Sequence, residues 1–230
     1  RASADSTAML WLLRPLWARA TVYWLNTGDN LPEAAAWVSL VRQVVPNFVE
    51  VASPREQVIA MHGMPADAVP SVSTPGGRMV GGPVPALQDR LDCCYRSLML
   101  PLHERMIRDR VSLLVRGQKD SDEMKSPIRS GEVIDGFEVL YPLESWSHDD
   151  VMAFLRANEL PILPVYHHGK NLPDCVTCPA WTDDRRAALL AERHPDLARK
   201  YRNNLMTVRA GIAAALANMD AELEQLLGVN

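Results

Sequence analysis

The chain has 230 residues, 47% of them hydrophobic and 23% charged, enough to bury a full core and predicting one domain or a domain with an appendage. A net charge of -4 with a pI near 5.9 excludes a global basic field, so charge does not indicate nucleic-acid binding and leaves open only a local basic patch. No apolar run reaches the length of a bilayer span, Met9 to Leu13 being interrupted by Arg14 and Pro15, so no membrane association is expected. The first residues lack the apolar core of a signal peptide, which predicts a cytoplasmic protein, and the absence of an initial methionine leaves residues upstream open.

In chain order, Thr7 to Arg19 carries Leu, Trp and Met at mixed helical spacing, and Thr21 to Leu25 reads as a buried strand, β-branched and aromatic. After the turn Asn26 to Asn30, Pro32-Glu33 opens a helix running to about Val45, and Asn47 to Val51 is the next strand. His62 to Pro85 is rich in Pro, Gly and Ser, a long irregular segment of the kind that is functional or mobile. A helix begins near Cys93. Arg110 to Arg116 is a strand candidate feeding the polar loop Gly117 to Asp122, and Phe137 to Pro142 is a short strand. Ser147 with Asp149 and Asp150 opens the helix from Val151 to Asn158. Beyond Cys178 the chain is Ala-, Leu- and Arg-rich and reads as helical to its end, without internal repeats.

Helices alternating with short apolar strands predict an α/β fold with a Rossmann-like, mainly parallel sheet, whose ligands bind beyond the carboxyl ends of the strands. The expected division is a nucleotide-binding domain over residues 1-180 and a helical extension over 181-230. An oligomer is left open.

All four cysteines fall into two close pairs, Cys93-Cys94 and Cys175-x-x-Cys178, with none left over. In a reducing compartment such a set points to metal, and two thiolates of a Cys-x-x-Cys turn can serve one centre. Vicinal cysteines diverge and need a special backbone to do the same. Four thiolates suit a [4Fe-4S] cluster, with a closed zinc site as the alternative. His167-His168 reads as a solvent-facing pair in a Gly- and Pro-containing loop, and the arginines at 185, 186, 193, 199, 202 and 209 as a solvated helical face.

Several motifs carry a family resemblance. Cys93-Cys94 followed by Arg96 and Leu100-Pro-Leu102, with Cys175-x-x-Cys178 downstream, resembles the iron-sulfur form of the APS/PAPS (adenylyl-sulfate/phosphoadenylyl-sulfate) reductase family, within the PP-loop adenine nucleotide alpha-hydrolase-like superfamily. Between the pairs, Tyr141-Pro-Leu-Glu-Ser-Trp146-Ser147 with Asp150-Val151 is similar to the family's Pro-Leu-x-x-Trp helix opening, and Leu160-Pro161 with Pro164-Val-Tyr166 to its approach to the second pair. Ser3-Ala-Asp5-Ser6-Thr7 is similar to the end of the family's pyrophosphate loop, Ser-Gly-Gly-Lys-Asp-Ser-Thr. Here Ala2, Ser3 and Ala4 stand where the family has two glycines and a lysine. Leu25-Asn26-Thr27-Gly28 resembles the Leu-Asp-Thr-Gly segment lying against the nucleotide, with Asn for Asp. Gly117-Gln-Lys119-Asp120-Ser121 resembles the loop that presents basic groups to phosphate or sulfate.

The resemblance implies that Ser3, Asp5, Ser6, Thr7, Asn26, Thr27, Gly28, Gly117, Lys119 and Asp120 line a crevice for ATP or APS/PAPS. It also implies that Cys93, Cys94, Cys175 and Cys178 bind a [4Fe-4S] cluster beside that crevice. Read from the residues alone, Asp5, Ser6 and Thr7 serve equally as a helix cap, Asn26-Thr-Gly as a simple turn, and the 117-121 loop as a solvated one.

The family's reductases attack sulfur with a cysteine in a C-terminal Glu-Cys-Gly-Leu-His type tail and are released by thioredoxin, whereas this chain has no cysteine after Cys178. Three readings follow: an adenylating or sulfur-transfer protein with a sulfur donor as partner; a sulfonucleotide reductase lacking its nucleophile, with a thioredoxin-like reductant; and a non-catalytic nucleotide-binding protein.

Overall fold

The computed structural model describes residues 3–81, 84–122, 125–167, 173–182 and 184–228. Ala2 of the loop resemblance, Gly82-Pro83 of the Pro- and Gly-rich stretch and His168 of the histidine pair lie outside the described residues.

Among the described residues most elements are short, and the last helix is the one long helix. Helix α1 (Ala4–Leu12) ends where Pro15 forbids continuation, giving way to a 3-10 turn at Arg14–Leu16 instead of the longer helix expected from spacing. Then come β1 (Val22–Asn26), α2 (Pro32–Val44), β2 (Phe48–Ala52), α3 (Arg55–His62) and β3 (Met64–Ala66). Next are the single-turn α4 (Pro75–Arg78), β4 (Leu87–Asp89), α5 (Arg90–Cys94) and α6 (Leu100–Arg108). After these follow β5 (Leu113–Val115), β6 (Val133–Ile134), β7 (Phe137–Leu140), α7 (His148–Ala157), α8 (Asp184–Arg193) and the 33-residue α9 (Pro195–Leu227). Among the described residues no helix is long and apolar enough to cross a membrane.

The result is a mixed α/β fold with parallel pairing. β3 pairs with β4 in parallel, with Met64 opposite Leu87, and β5 pairs with β7 in parallel, with Leu113 opposite Glu138. β6 joins the other edge of β7 antiparallel, and β1 is bonded to β2.

The chain divides into two compact units that interleave along the sequence. The first holds Arg1–Asn26, Asn30–Val51 and Leu102–Leu172; the second holds Thr27–Asp29, Ala52–Pro101 and Pro173–Asn230. In the first, α1 packs on α7 through Ala4, Ala8, Val151, Met152 and Leu155, while β7 buries Phe137 and Val139 against Met106 of α6. A capping box fixes the start of α7: the Ser147 hydroxyl accepts the Asp150 amide at 3.1 Å, and the Asp150 carboxylate accepts the Ser147 amide at 2.8 Å. In the second, Leu87, Leu189 and Leu190 are fully buried. Gly211 lets α9 lie against Leu87, whose Cδ1 a Cβ at that position would meet at 2.8 Å.

Candidate functional site

In the first unit, two segments 114 residues apart meet. Lys119 Nζ donates to Asp5 Oδ1 at 2.6 Å, and Asp122 takes the same ammonium at 2.8 Å while accepting the Lys119 amide at 3.0 Å. Gly117 makes the approach close, since a Cβ there would come within 3.0 Å of the Asp5 carbonyl oxygen. Burial pulls the Lys119 ammonium toward its neutral form, but the bonds and charges of Asp122 and Asp5 outweigh it and hold its pKa above the ordinary lysine value. An ammonium has three donors, and the two carboxylates use two of them.

The remaining loop residues serve the fold as placed. Ser3 is the N-cap of α1, its hydroxyl accepting the Ser6 amide at 3.2 Å and donating to the Ser6 hydroxyl at 3.0 Å. The Ala4 amide donates to the Tyr166 hydroxyl at 2.8 Å, and buried Thr7 accepts the Trp37 indole N–H at 3.1 Å. Asn26 donates to Glu50 at 2.8 Å and accepts from Asn30 at 2.9 Å. Asp120 is exposed; its amide donates to the Glu144 carbonyl at 2.8 Å and its carboxylate faces Lys125.

All four cysteines lie in the second unit and none is in a disulfide, Cys93 and Cys178 buried, Cys94 and Cys175 half-buried. Directly after Cys94 the helix widens into a π-helical turn over Tyr95–Met99, the kind of irregularity that redirects side chains at functional positions. Pro101 supplies a reason, since it cannot donate to the Ser97 carbonyl one turn back. That carbonyl instead accepts the Ser53 hydroxyl at 2.6 Å, and the same Ser53 oxygen accepts the Arg55 amide at 3.2 Å.

The Cys175–Cys178 turn is held from several sides. Thr177 is fully buried between the cysteines, and Asp29 accepts both its amide, at 2.9 Å, and its hydroxyl, at 2.8 Å. The Asp29 carbonyl accepts the Val176 amide at 2.8 Å, and Asn204 of α9 donates to the Thr177 carbonyl at 2.8 Å. Arg55, 3% exposed, and Lys200 reach the Asp29 carboxylate at 3.5 and 3.2 Å. Arg186 donates to the Cys178 carbonyl at 3.0 Å. Thr27 and Gly28 belong to this turn: the Thr27 hydroxyl donates to the Asp174 carbonyl at 3.1 Å and accepts the Asp29 amide, while Gly28 takes a positive φ of 69°.

Burial pushes the Cys93, Cys175 and Cys178 thiols up, and the Arg55 charge opposes it at all three. Thiols so placed ionise readily only against a cation, which a coordinated metal supplies. The donor set therefore fits a four-thiolate centre in its chemistry. Among the described residues no three His, Cys, Asp or Glu side chains converge on a single-ion position. Asp29, Arg55, Thr177, Lys200 and Asn204 carried no signal in the sequence, because each matters through partners distant along the chain.

Residues 2–181 match the sequence model of the phosphoadenosine phosphosulfate reductase domain. Adenosine 5'-phosphosulfate reductase of Allochromatium vinosum is 24% identical over 158 residues, covering 68% of this chain and 57% of that protein. The chain thus spans little more than half the length of the curated relative it matches. A crystal structure of phosphoadenylyl-sulfate (PAPS) reductase from Candida auris, a phosphate complex, superposes with a TM-score of 0.46 at 14% identity, over 73% of this chain and 74% of that one.

Proposed function

Because the chain belongs to the phosphoadenosine phosphosulfate reductase domain family, whose chemistry concerns sulfonucleotides, we propose that it binds an adenine nucleotide, holds a [4Fe-4S] cluster on Cys93, Cys94, Cys175 and Cys178, and serves adenylation or sulfur transfer. The observation that carries the reading is that all four cysteines, paired some eighty residues apart in sequence, lie in one compact unit with none in a disulfide. Buried Arg55 and Arg186 in the same unit favour an anionic metal-thiolate centre over a set of neutral thiols. When bound, such a cluster supplies a redox-active centre whose potential follows burial, neighbouring charge and hydrogen bonds to sulfur.

In the first unit, the Asp5 and Gly117–Lys119 segments are the nucleotide-binding candidates. The third donor of Lys119 offers a phosphate or sulfate oxygen a charge-assisted bond. Asp5 and Asp122 hold that ammonium in place and keep it charged. The second reading, an APS or PAPS reductase aided by a thioredoxin-like reductant, is favoured by the name of the Allochromatium relative. It requires a nucleophilic cysteine besides the four assigned to the centre, and residues 179–230 hold none.

The test is the visible spectrum of anaerobically purified protein with iron, sulfide and zinc assayed on the same sample. A broad band near 400 nm with about four iron and four sulfide per chain supports the cluster. One zinc per chain, or no metal, overturns it. Cys178→Ser should lower iron content and stability together, because metal-site formation and folding are coupled, and an unchanged iron content counts against the ligand set. On the loaded protein, adenylate release from ATP with an acceptor favours sulfur transfer, and sulfite release from APS with thioredoxin favours the reductase.

A further inference from the structure

Beyond Trp181, where the family match ends, α9 carries a pattern of its own. Leu205, Ile212, Leu216, Met219, Leu223 and Leu226 follow one another at spacings of seven, four, three, four and three residues. These are the a and d positions of a coiled coil, with Arg209 the one polar residue in the row. The row is half-buried at Leu205 and Ile212, and every residue from Leu216 to Gly228 is exposed. Leu216, Met219, Leu223 and Leu226 are 47, 54, 55 and 72% exposed. Scattered exposed leucines are ordinary on a protein surface, but four apolar side chains in line on one helix face form a seam. About three turns of helix exposed on every side are also marginal in water by themselves.

Charge along the same helix says what covers the seam. Residues 210–230 contain Asp220, Glu222 and Glu224 and no Lys or Arg, whereas Arg199, Lys200, Arg202 and Arg209 lie toward the start of α9, against one acid, Asp196. A second copy laid antiparallel brings the acidic end of one helix to the basic part of the other, and one laid parallel sets Arg209 against Arg209. We propose that the chain forms a homodimer through an antiparallel coiled coil of α9, overlapping from Arg209 to Leu226. In that register Leu216 lies opposite Met219 of the second copy, Ile212 opposite its Leu223, and Arg209 opposite its Leu226, one turn from its Glu222. A single polar residue in an apolar row fixes orientation and register at some cost in stability, which is the part Arg209 plays. The seam covers on the order of 1,000 Å² over both copies, at the lower limit for a specific interface, so the dimer dissociates on dilution. The pairing uses no cysteine and no nucleotide, and it stands apart from the function proposed above.

The experiment is sedimentation equilibrium of the 230-residue chain between about 1 and 100 μM, with reductant present to exclude disulfide-linked species. Wild type should pass from monomer to dimer across this range. Leu223→Glu, which puts a charge into the seam at an exposed position, should stay monomeric with wild-type helix content by circular dichroism. Arg209→Glu and Glu222→Arg should each raise the dissociation constant about tenfold, because two ion pairs per dimer become two repulsions. Arg209→Glu/Glu222→Arg should return it close to the wild-type value, since the pairs are remade with their signs exchanged. A wild type that stays monomeric at the highest concentration, or a dimer that Leu223→Glu leaves intact, would overturn the α9 interface. Single charge variants that dimerise as wild type does, or a double variant no better than either, would overturn the antiparallel arrangement. If Leu223→Glu loses helix, the three charge variants decide by themselves, because Arg209 and Glu222 are both exposed.

Discussion

Asp29 lies in the turn after β1, one residue past the Leu25–Gly28 segment likened to a nucleotide contact, and its carboxylate is 2% exposed and receives Thr177, Arg55 and Lys200. Burial alone would raise its pKa; the Arg55 charge, the two Thr177 donors and Lys200 outweigh it and hold the carboxyl below the usual carboxylate range. A folded-state pKa below the unfolded one contributes stability that is present above the unfolded value, near pH 4, and lost as pH falls through the depressed one. Thermal melts between about pH 5 and pH 3 should therefore show a falling midpoint that flattens in Asp29→Asn. Equal acid sensitivity of the two proteins would show that the ion pair does not act in this way. Lys119 is the parallel case in the first unit, a residue expected to face phosphate that is held by Asp5 and Asp122.

Elements begin and end here for local reasons, but several depend on distant backbone. Gly63 closes α3 with φ of 96° and ψ of 176°, a conformation essentially reserved for glycine, and a Cβ there would stand 2.2 Å from the Ala86 carbonyl oxygen. The same close approach lets the Met64 amide reach Ala86 at 2.9 Å and start the β3–β4 pairing. Gly63→Ala should cost about 3 kcal/mol or more in chemical denaturation, combining backbone strain with displacement of a strand. Gly28→Ala should cost only about 1 kcal/mol, since φ is 69° there and nothing lies within 4 Å of the added carbon. Similar losses at both positions would refute this difference. The irregular composition of 62–85 hides β3 because three residues become a strand only by pairing with β4, some twenty positions away.

At the scale of the whole molecule, each unit is assembled from three separate stretches of chain. α9 supplies Asn204 to the Thr177 carbonyl, Lys200 to Asp29 and Gly211 to the packing on Leu87. A chain cut after Trp181, where the family match ends, should therefore lose the second unit's hold on Cys175 and Cys178. The expected outcome is poor solubility, or a soluble protein with little iron after reconstitution. A truncated protein with wild-type iron content would show that α9 is dispensable to the site.

By itself the sequence determined the α/β character, the proline-led start of α2, the Ser147 cap of α7, the strand cores around Leu25, Val51 and Val139, and the two cysteine pairs. It also carried the family, through motifs with short internal spacing. These signals are legible because their physical causes, capping, periodic apolarity and proline geometry, act within a few residues. Only the tertiary structure decided that Asp5 meets Lys119 across 114 residues, that Ala4 donates to Tyr166 across 162, and that Asp29 holds Thr177 across 148. Such contacts depend on which buried polar groups find partners once the chain has collapsed. A charged side chain that becomes a buried clamp, as Arg55 does, looks in the sequence like any other charge at the start of a helix.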